Sequence, residues 1–284
     1  MNPLQQTGKV ILAGAGPGDP DLVTVKTAHY LQQADVVLTD RLVSELILQR
    51  YVRPSATIIE VGKQCRRGVS TPQQTINELM VQYASAGKLV VRLKGGDVAF
   101  FSNVLDELDS LLANGIPYEI VPGITAASGA SAYAGIPLTA RNHATAVRFL
   151  TCYQSAVLSD DYWKELATTT DTLVFYMSSE TLDMLVSNLI RYGMEASMQL
   201  AVIEQATTSY QQVYTCGLYE YAEKFRSRSF LSPSLVIIGK VVALQRSFSW
   251  FRGSDLGEYY FKPLTSPVKS IHTHEQPKQY AGRA

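Results

Sequence analysis

Short apolar runs rich in β-branched residues alternate with longer amphipathic stretches through the first half of the chain. Five runs, at residues 9–13, 35–39, 57–61, 89–93 and 118–121, are separated by segments of helical character. That alternation predicts successive strand–helix units around a parallel sheet, buried on both faces. Each run ends in glycine or charge: residues 14–20, Asp40 with Arg41, Gly62 with Lys63, residues 95–97, and residues 122–125. In an open α/β sheet the ligand crevice lies outside the carboxyl ends of the strands, so these five loops are expected to meet along one edge.

The pattern changes after Leu138, with runs at 146–151, 172–177, 199–204, 211–216 and 234–239 and helical segments at 180–192 and 217–226. Two α/β domains are predicted, residues 1–138 and 139–250, with a boundary near 137–141. From Phe251 onward the chain is poor in aliphatic residues and without sustained period, which predicts a disordered tail over 251–284.

A length of 284 residues suits two domains, each with its own core. Apolar residues make up 46% and charged residues 18%, as in soluble globular proteins, and no apolar run reaches membrane-spanning length. The start of the chain has neither the basic nor the apolar part of a signal peptide, so a cytoplasmic location is expected. Cys65, Cys152 and Cys216 form no CxxC pair, and His29, His143, His272 and His274 have no ligand spacing, so neither a disulfide framework nor a metal site is expected. The 25 basic and 25 acidic residues balance, which argues against wholesale nucleic-acid binding but leaves room for a local basic cleft.

The opening strand runs into Gly14-Ala-Gly-Pro-Gly18, which invites a dinucleotide-binding reading. The third glycine of that fingerprint would stand at position 19, which is Asp19, and Pro17 has no amide hydrogen to offer a phosphate. The next helix is expected only from about Thr24, so the loop reads as an extended lip, or simply as a tight turn. Gly95, Gly96 and Asp97 follow the strand LVVRL, where glycines admit a ligand to the backbone and a carboxylate accepts hydrogen bonds. The run VPGITAASGASAYAG couples a turn to a small-residue helix able to approach another element closely. Asp40 and Lys63, ending adjacent strands, are either proton-transfer candidates or a solvated ion pair. Lys63, Arg66, Arg67, Arg92, Lys94, Arg141 and Arg148 lie near strand ends or the domain junction, where they would make a crevice basic or be plain surface charge.

Seven blocks, VILAGAGPGDPDLVTVKTA, TDRLVSELIL, VGKQ, VRLKGGD, VPGITAASGASAYAGIPLT, TLVFYM and SPSLVIIGKVVAL, resemble in order and spacing the tetrapyrrole methylases, on the branch that methylates uroporphyrinogen III. The resemblance runs from about Gly8 to Phe251. It implies two α/β domains with the active site in the cleft between them, S-adenosylmethionine as methyl donor without a metal, and a homodimer. It implies donor contacts at Pro17, Gly95, Gly96, Asp97, Thr125, Ala126, Met177 and Ala206, with Phe100 where isoleucine is usual. Asp40 would be the proton acceptor and Lys63 the proton donor, and basic residues such as Arg66 and Arg141 would anchor substrate carboxylates. The implied reaction is methylation of uroporphyrinogen III at C2 and C7 to precorrin-2, for sirohaem or cobalamin synthesis. Alternatives are a sibling methylase with another substrate, or a protein that binds donor or tetrapyrrole without turnover.

The match breaks where the family usually reads GGDPFIFGRGGEE and this chain has GGDVAFFSNVLDE. Asn103 replaces an arginine, and Ser102 or Asn103 is expected to cap a helix with apolar positions at Val104, Leu105, Leu108, Leu111 and Leu112. The usual TGH is Thr151-Cys-Tyr153, and the usual LTHRDYA is LTARNHA from Leu138.

Overall fold

The computed structural model describes residues 7–64, 69–152, 158–254 and 259–261. Strands β1 (Lys9–Gly14), β2 (Val36–Thr39), β3 (Thr57–Glu60), β6 (Leu89–Lys94) and β7 (Tyr118–Val121) form one sheet in the order β3-β2-β6-β1-β7, with every neighbour parallel. A small hairpin of β4 (Lys63–Gln64) and β5 (Val69–Ser70) follows β3. Helices α1 (Val25–Gln33) and α2 (Glu45–Tyr51) cover one face, and α3 (Gln73–Ser85) and α4 (Val104–Ala113) cover the other. Strand alternation sorts the side chains: Val10 and Leu12 pack with Ile76, Met80 and Leu111, while Ile11 and Ala13 pack with Leu31 and Ile47.

The second sheet is mixed. Its order is β11 (Gln212–Gly217), β10 (Gln199–Glu204), β12 (Ser234–Gly239), β9 (Thr172–Tyr176) and β8 (Val147–Thr151), with only the β8–β9 pair parallel. One face carries α6 (Asp160–Thr168), α7 (Leu182–Arg191) and the short α8 (Tyr221–Lys224); a last turn, α9 (Gln245–Phe248), follows β12. The opposite face rests on α5 (Ala126–Ala134), whose Ala127, Ala130 and Ala134 pack with Val174, Ala201, Ile203, Leu235 and Ile237. The helix that follows β7 therefore joins the two sheets, and its small residues permit the approach that its composition predicts. Among the described residues no helix is long and apolar enough to cross a membrane.

Of the segment after Trp250, several described residues are packed against the body of the protein, while Arg252 and Tyr259 are exposed. Phe251 meets the Tyr133 ring at 5.0 Å, Gln212 donates to the Ser254 carbonyl at 2.7 Å, and Phe261 is buried. The absence of aliphatic periodicity, from which disorder is predicted, carries no information about aromatic side chains docking singly. The rest of the expected tail lies outside the described residues.

Candidate active site

The carboxyl ends of β1, β6 and β7 meet backbone to backbone. A Cβ on Gly14 would lie 2.6 Å from both the Gly123 nitrogen and the Gly96 oxygen, so no side chain fits among these three loops. Gly16 and Gly96 exchange amide hydrogen bonds at 3.0 and 2.8 Å, extending the sheet by one rung into the loops. Gly96 has φ of +69°, and a Cβ there would meet only the Ala126 nitrogen, at 3.6 Å. The result is an open recess between the Gly95-Gly96-Asp97 turn and the start of α5. Asp97 braces the recess from behind: one carboxylate oxygen accepts the Gly123 amide and the other the Ala99 amide, both at 2.8 Å. Its carboxylate, read from the sequence as a ligand acceptor, also shapes the loops.

The first loop lies against both halves. The Pro17 ring rests on α5 where Gly129 leaves space; a Cβ there would come 2.5 Å from Pro17 Cγ. Gly18 lies under the Ala206 carbonyl and Thr208, the Asp19 amide donates to Thr207 Oγ1 at 3.1 Å, and the Tyr133 hydroxyl donates to Asp19 Oδ2 at 2.6 Å. Pro17 and Ala206, distant in sequence, are thereby brought to one place.

Across the recess, Tyr176 at the end of β9 places its hydroxyl 2.7 Å from Thr125 Oγ1 and accepts the Ala127 amide at 3.0 Å. Thr125 occupies the N-cap position of α5 without capping it; the tyrosine from the other sheet satisfies the helix amide instead. Next to it, Met177 has φ of +54° and an exposed side chain, and Gln205 and Thr207 also have positive φ. Backbone strain of this kind persists where surrounding structure over-determines it, commonly at ligand sites.

Phe100 and Phe101 are exposed and reach the second sheet: Phe100 meets Phe149 edge-on at 5.3 Å, and Phe101 lies 4.9 Å from Tyr176. The expected cap of α4 is not formed. Ser102 donates to the Val98 carbonyl, and Asn103 enters the helix in the left-handed conformation, φ 51° and ψ 31°, without a side-chain cap bond. Asparagine tolerates this backbone better than most residues, which accounts for it here without capping.

Asp40 follows β2, its amide bonded to the Leu93 carbonyl, and two residues on Leu42 packs against Gly95, where a Cβ would lie 2.8 Å away. The Asp40 carboxylate therefore belongs to a loop that touches the recess. Its Oδ1 accepts from Arg92 Nη2 at 2.6 Å; Arg92 Nε and Lys94 Nζ in turn donate to Glu107 at 2.9 and 2.7 Å. Despite the cost of burial, Asp40 and Glu107 hold the Arg92 guanidinium above its ordinary value, whereas burial and the Arg92 charge push Lys94 down.

Three of the cations expected to make the crevice basic are instead paired with carboxylates. Arg92 and Lys94 are buried and paired with carboxylates, and Arg148 is bound to Asp171 and Glu165. Arg141 is exposed in the turn bridged by Ala140 and Ala144, and its carbonyl meets the His143 ring at 2.9 Å. Lys63 has its backbone in β4, at the same sheet edge as Asp40; its side chain, Arg66 and Arg67 lie outside what is described. Tyr176, Phe101, Thr207 and Glu107 are site residues that sequence reasoning missed. Only Tyr176 left a signal, as a polar-tipped aromatic closing an apolar strand directly before Met177.

The profile of the tetrapyrrole (corrin/porphyrin) methylases matches residues 9–222. The siroheme synthase of Pseudomonas paraeruginosa is 46% identical over 251 residues, covering 88% of this chain and 54% of that protein. The chain thus spans about half the length of the curated relatives it matches. The uroporphyrin-III C-methyltransferase of Thermus thermophilus superposes with a TM-score of 0.71 at 31% identity, covering 88% of this chain and 99% of that one. The structure of that enzyme complexed with S-adenosylhomocysteine gives 0.69 at 34% identity, covering 84% and 100%. A cobalamin-biosynthetic cobalt-precorrin-4 methyltransferase gives 0.73 at 27%, covering 82% and 95%. On this sequence, this pair of sheets and these convergent loops, the chain is a methyltransferase of the tetrapyrrole methylase family, which uses S-adenosylmethionine.

Proposed function

We propose that the protein methylates uroporphyrinogen III at C2 and C7, giving precorrin-2. The observation that carries the reading is the recess between Gly96 and the Ala126 amide, with the Asp40 loop resting on its edge through Leu42 and Gly95. An open recess lined by backbone, where Gly96 leaves room beside the Ala126 amide, suits a nucleoside amino acid that requires close approach. Pro17, Gly95, Gly96, Thr125, Ala126 and Ala206 would hold S-adenosylmethionine there. Asp97 would keep the loops in shape, and Phe100 and Met177 would close the exposed side. The donor, when bound, supplies a methyl group already activated by its sulfonium.

What remains for the chain is to align a ring carbon with that methyl group, exclude water and accept the proton released from the substrate. Asp40, on the loop that touches the recess through Leu42, would take the last task, and Lys63, from the neighbouring strand end, would donate a proton. Arg66 and Arg141 would meet substrate carboxylates. The two halves, residues 1–138 and 139–250, would work as the domains flanking this cleft.

Titration calorimetry tests the donor site. S-adenosylmethionine and S-adenosylhomocysteine are expected to bind with comparable affinity, because the proposed contacts are to parts common to both. Tight NAD binding with no measurable affinity for either would contradict the reading.

A further inference from the structure

Arg92 and Lys94 lie two residues apart on β6, so both side chains leave the same face of the sheet, toward α4. Glu107, on the first turn of α4, is fully buried between them and gives one carboxylate oxygen to each. Every nitrogen of Arg92 is assigned. Nε goes to Glu107, Nη1 to the Leu38 and Leu93 carbonyls at 3.3 Å, and Nη2 to Asp40 Oδ1. A guanidinium is planar, so fixing Nε and Nη1 fixes where Nη2 points. Asp40 is the one partly exposed member of the network, at 25% against 3% for Arg92 and 0% for Glu107. Among the described residues no hydrogen bond is recorded to its other oxygen, Oδ2.

We infer that Glu107 and Arg92 are positioning residues that hold the Asp40 carboxylate in one orientation, with Oδ1 pinned and Oδ2, unbonded among the described residues, presented to accept a proton at the rim of the recess. This rests on the reading of Asp40 as proton acceptor. The network contains two cations and two anions, and a buried network of balanced charge is by itself weak as a source of stability. Its extension to a half-buried carboxylate at a strand end is accounted for by orientation. The same connection ties the Asp40 carboxylate to α4, and so to the loop of Phe100 and Phe101 that precedes that helix.

The test is a double-mutant cycle on the full chain, with kcat, the KM for each substrate, donor affinity by calorimetry and melting temperature measured for each variant. Arg92→Lys keeps the charge but has a single nitrogen, which cannot occupy both the Nε and Nη2 positions. Glu107→Asp keeps the charge but withdraws the carboxylate by one methylene. Each is expected to lower kcat about tenfold or more with donor affinity nearly unchanged, and to add little further loss when Asp40 is already Asn, because residues acting as a unit are not additive. Equal losses in both backgrounds, an unchanged kcat, or failure of both variants to fold while Asp40→Asn folds would make the pair scaffold and overturn the inference. Near-normal turnover of Asp40→Asn itself would instead remove the proton-acceptor reading on which it rests.

Discussion

The Tyr176 hydroxyl, at the end of a strand in the second sheet, accepts the Ala127 amide in the first turn of α5 at 3.0 Å. It replaces the cap that Thr125 does not provide, and with its 2.7 Å contact to Thr125 Oγ1 it holds the two sides of the recess in register. Tyr176→Phe would leave that helix amide without its partner, a loss of about 1–3 kcal/mol for a buried donor. Urea unfolding is expected to show it, accompanied by weaker S-adenosylhomocysteine binding. Unchanged stability and affinity would mean that the contact is incidental.

Gly129 has no side chain because Pro17 occupies its place. Gly129→Ala improves helix propensity by about 1 kcal/mol, yet the added methyl must displace the Pro17 ring. Overpacking typically costs about 1–3 kcal/mol, so the helix gain is expected to be offset or exceeded. The clearer readout is donor affinity, which should fall as the loop from Gly14 to Asp19 is pushed out of place. A stabilised variant with unaltered affinity would show that the loop has slack.

Tyr133 gives a pH dependence of definite sign. Burial, reinforced by its bond to Asp19, pushes its hydroxyl up to about 12. The folded state thus holds its proton above the unfolded value of about 10. The contribution is complete below about pH 10 and is lost as pH rises toward about 12. In chemical denaturation at a series of alkaline pH values, Tyr133→Phe should therefore lose less stability than the parent over that window. Parallel curves would assign the alkaline sensitivity to other tyrosines.

The strand pattern made most of the fold legible. All ten runs read from the sequence coincide with a strand to within one residue at each end, because the strands are mostly apolar and bounded by glycine or charge. The run over 211–216 begins one residue early and ends one early against Gln212–Gly217. The recess was legible where it depends on glycine, since Gly14, Gly96 and Gly123 are required by backbone contact. What depends on the second sheet was not: nothing local to Tyr176 or Thr207 shows that each bonds to a loop more than 50 residues away or to Asp19 across 188 positions. Charge was the least legible property. Arg92 and Lys94 look like a basic rim in sequence, and only the structure, with Glu107 brought over them by α4 and Asp40 beside Arg92, shows that they are internally neutralised.

The residues after Trp250 carry a fourth prediction. Tyr260 places its hydroxyl 2.7 Å from Ser44 Oγ, the N-cap of α2 in the Asp40 loop, and its amide donates to Gln205 Oε1 at 2.7 Å. It therefore links loops from both halves beside the site. A chain shortened to end at Arg252 should show faster amide hydrogen exchange at residues 40–46 and 205–208, with the sheet strands unaffected. Unchanged exchange at both loops would show that they are held without Tyr260.

The central claim is chemical, and its most direct measurement is product identification. Purified protein is mixed with enzymatically generated uroporphyrinogen III and methyl-labelled S-adenosylmethionine under anaerobic conditions, and the products are resolved by mass and by position of label. The account predicts two labelled methyl groups, at C2 and C7, giving precorrin-2, with turnover strongly reduced in Asp40→Asn. Labelling of a different tetrapyrrole in preference to uroporphyrinogen III, or binding of donor and tetrapyrrole with no methyl transfer, would contradict it.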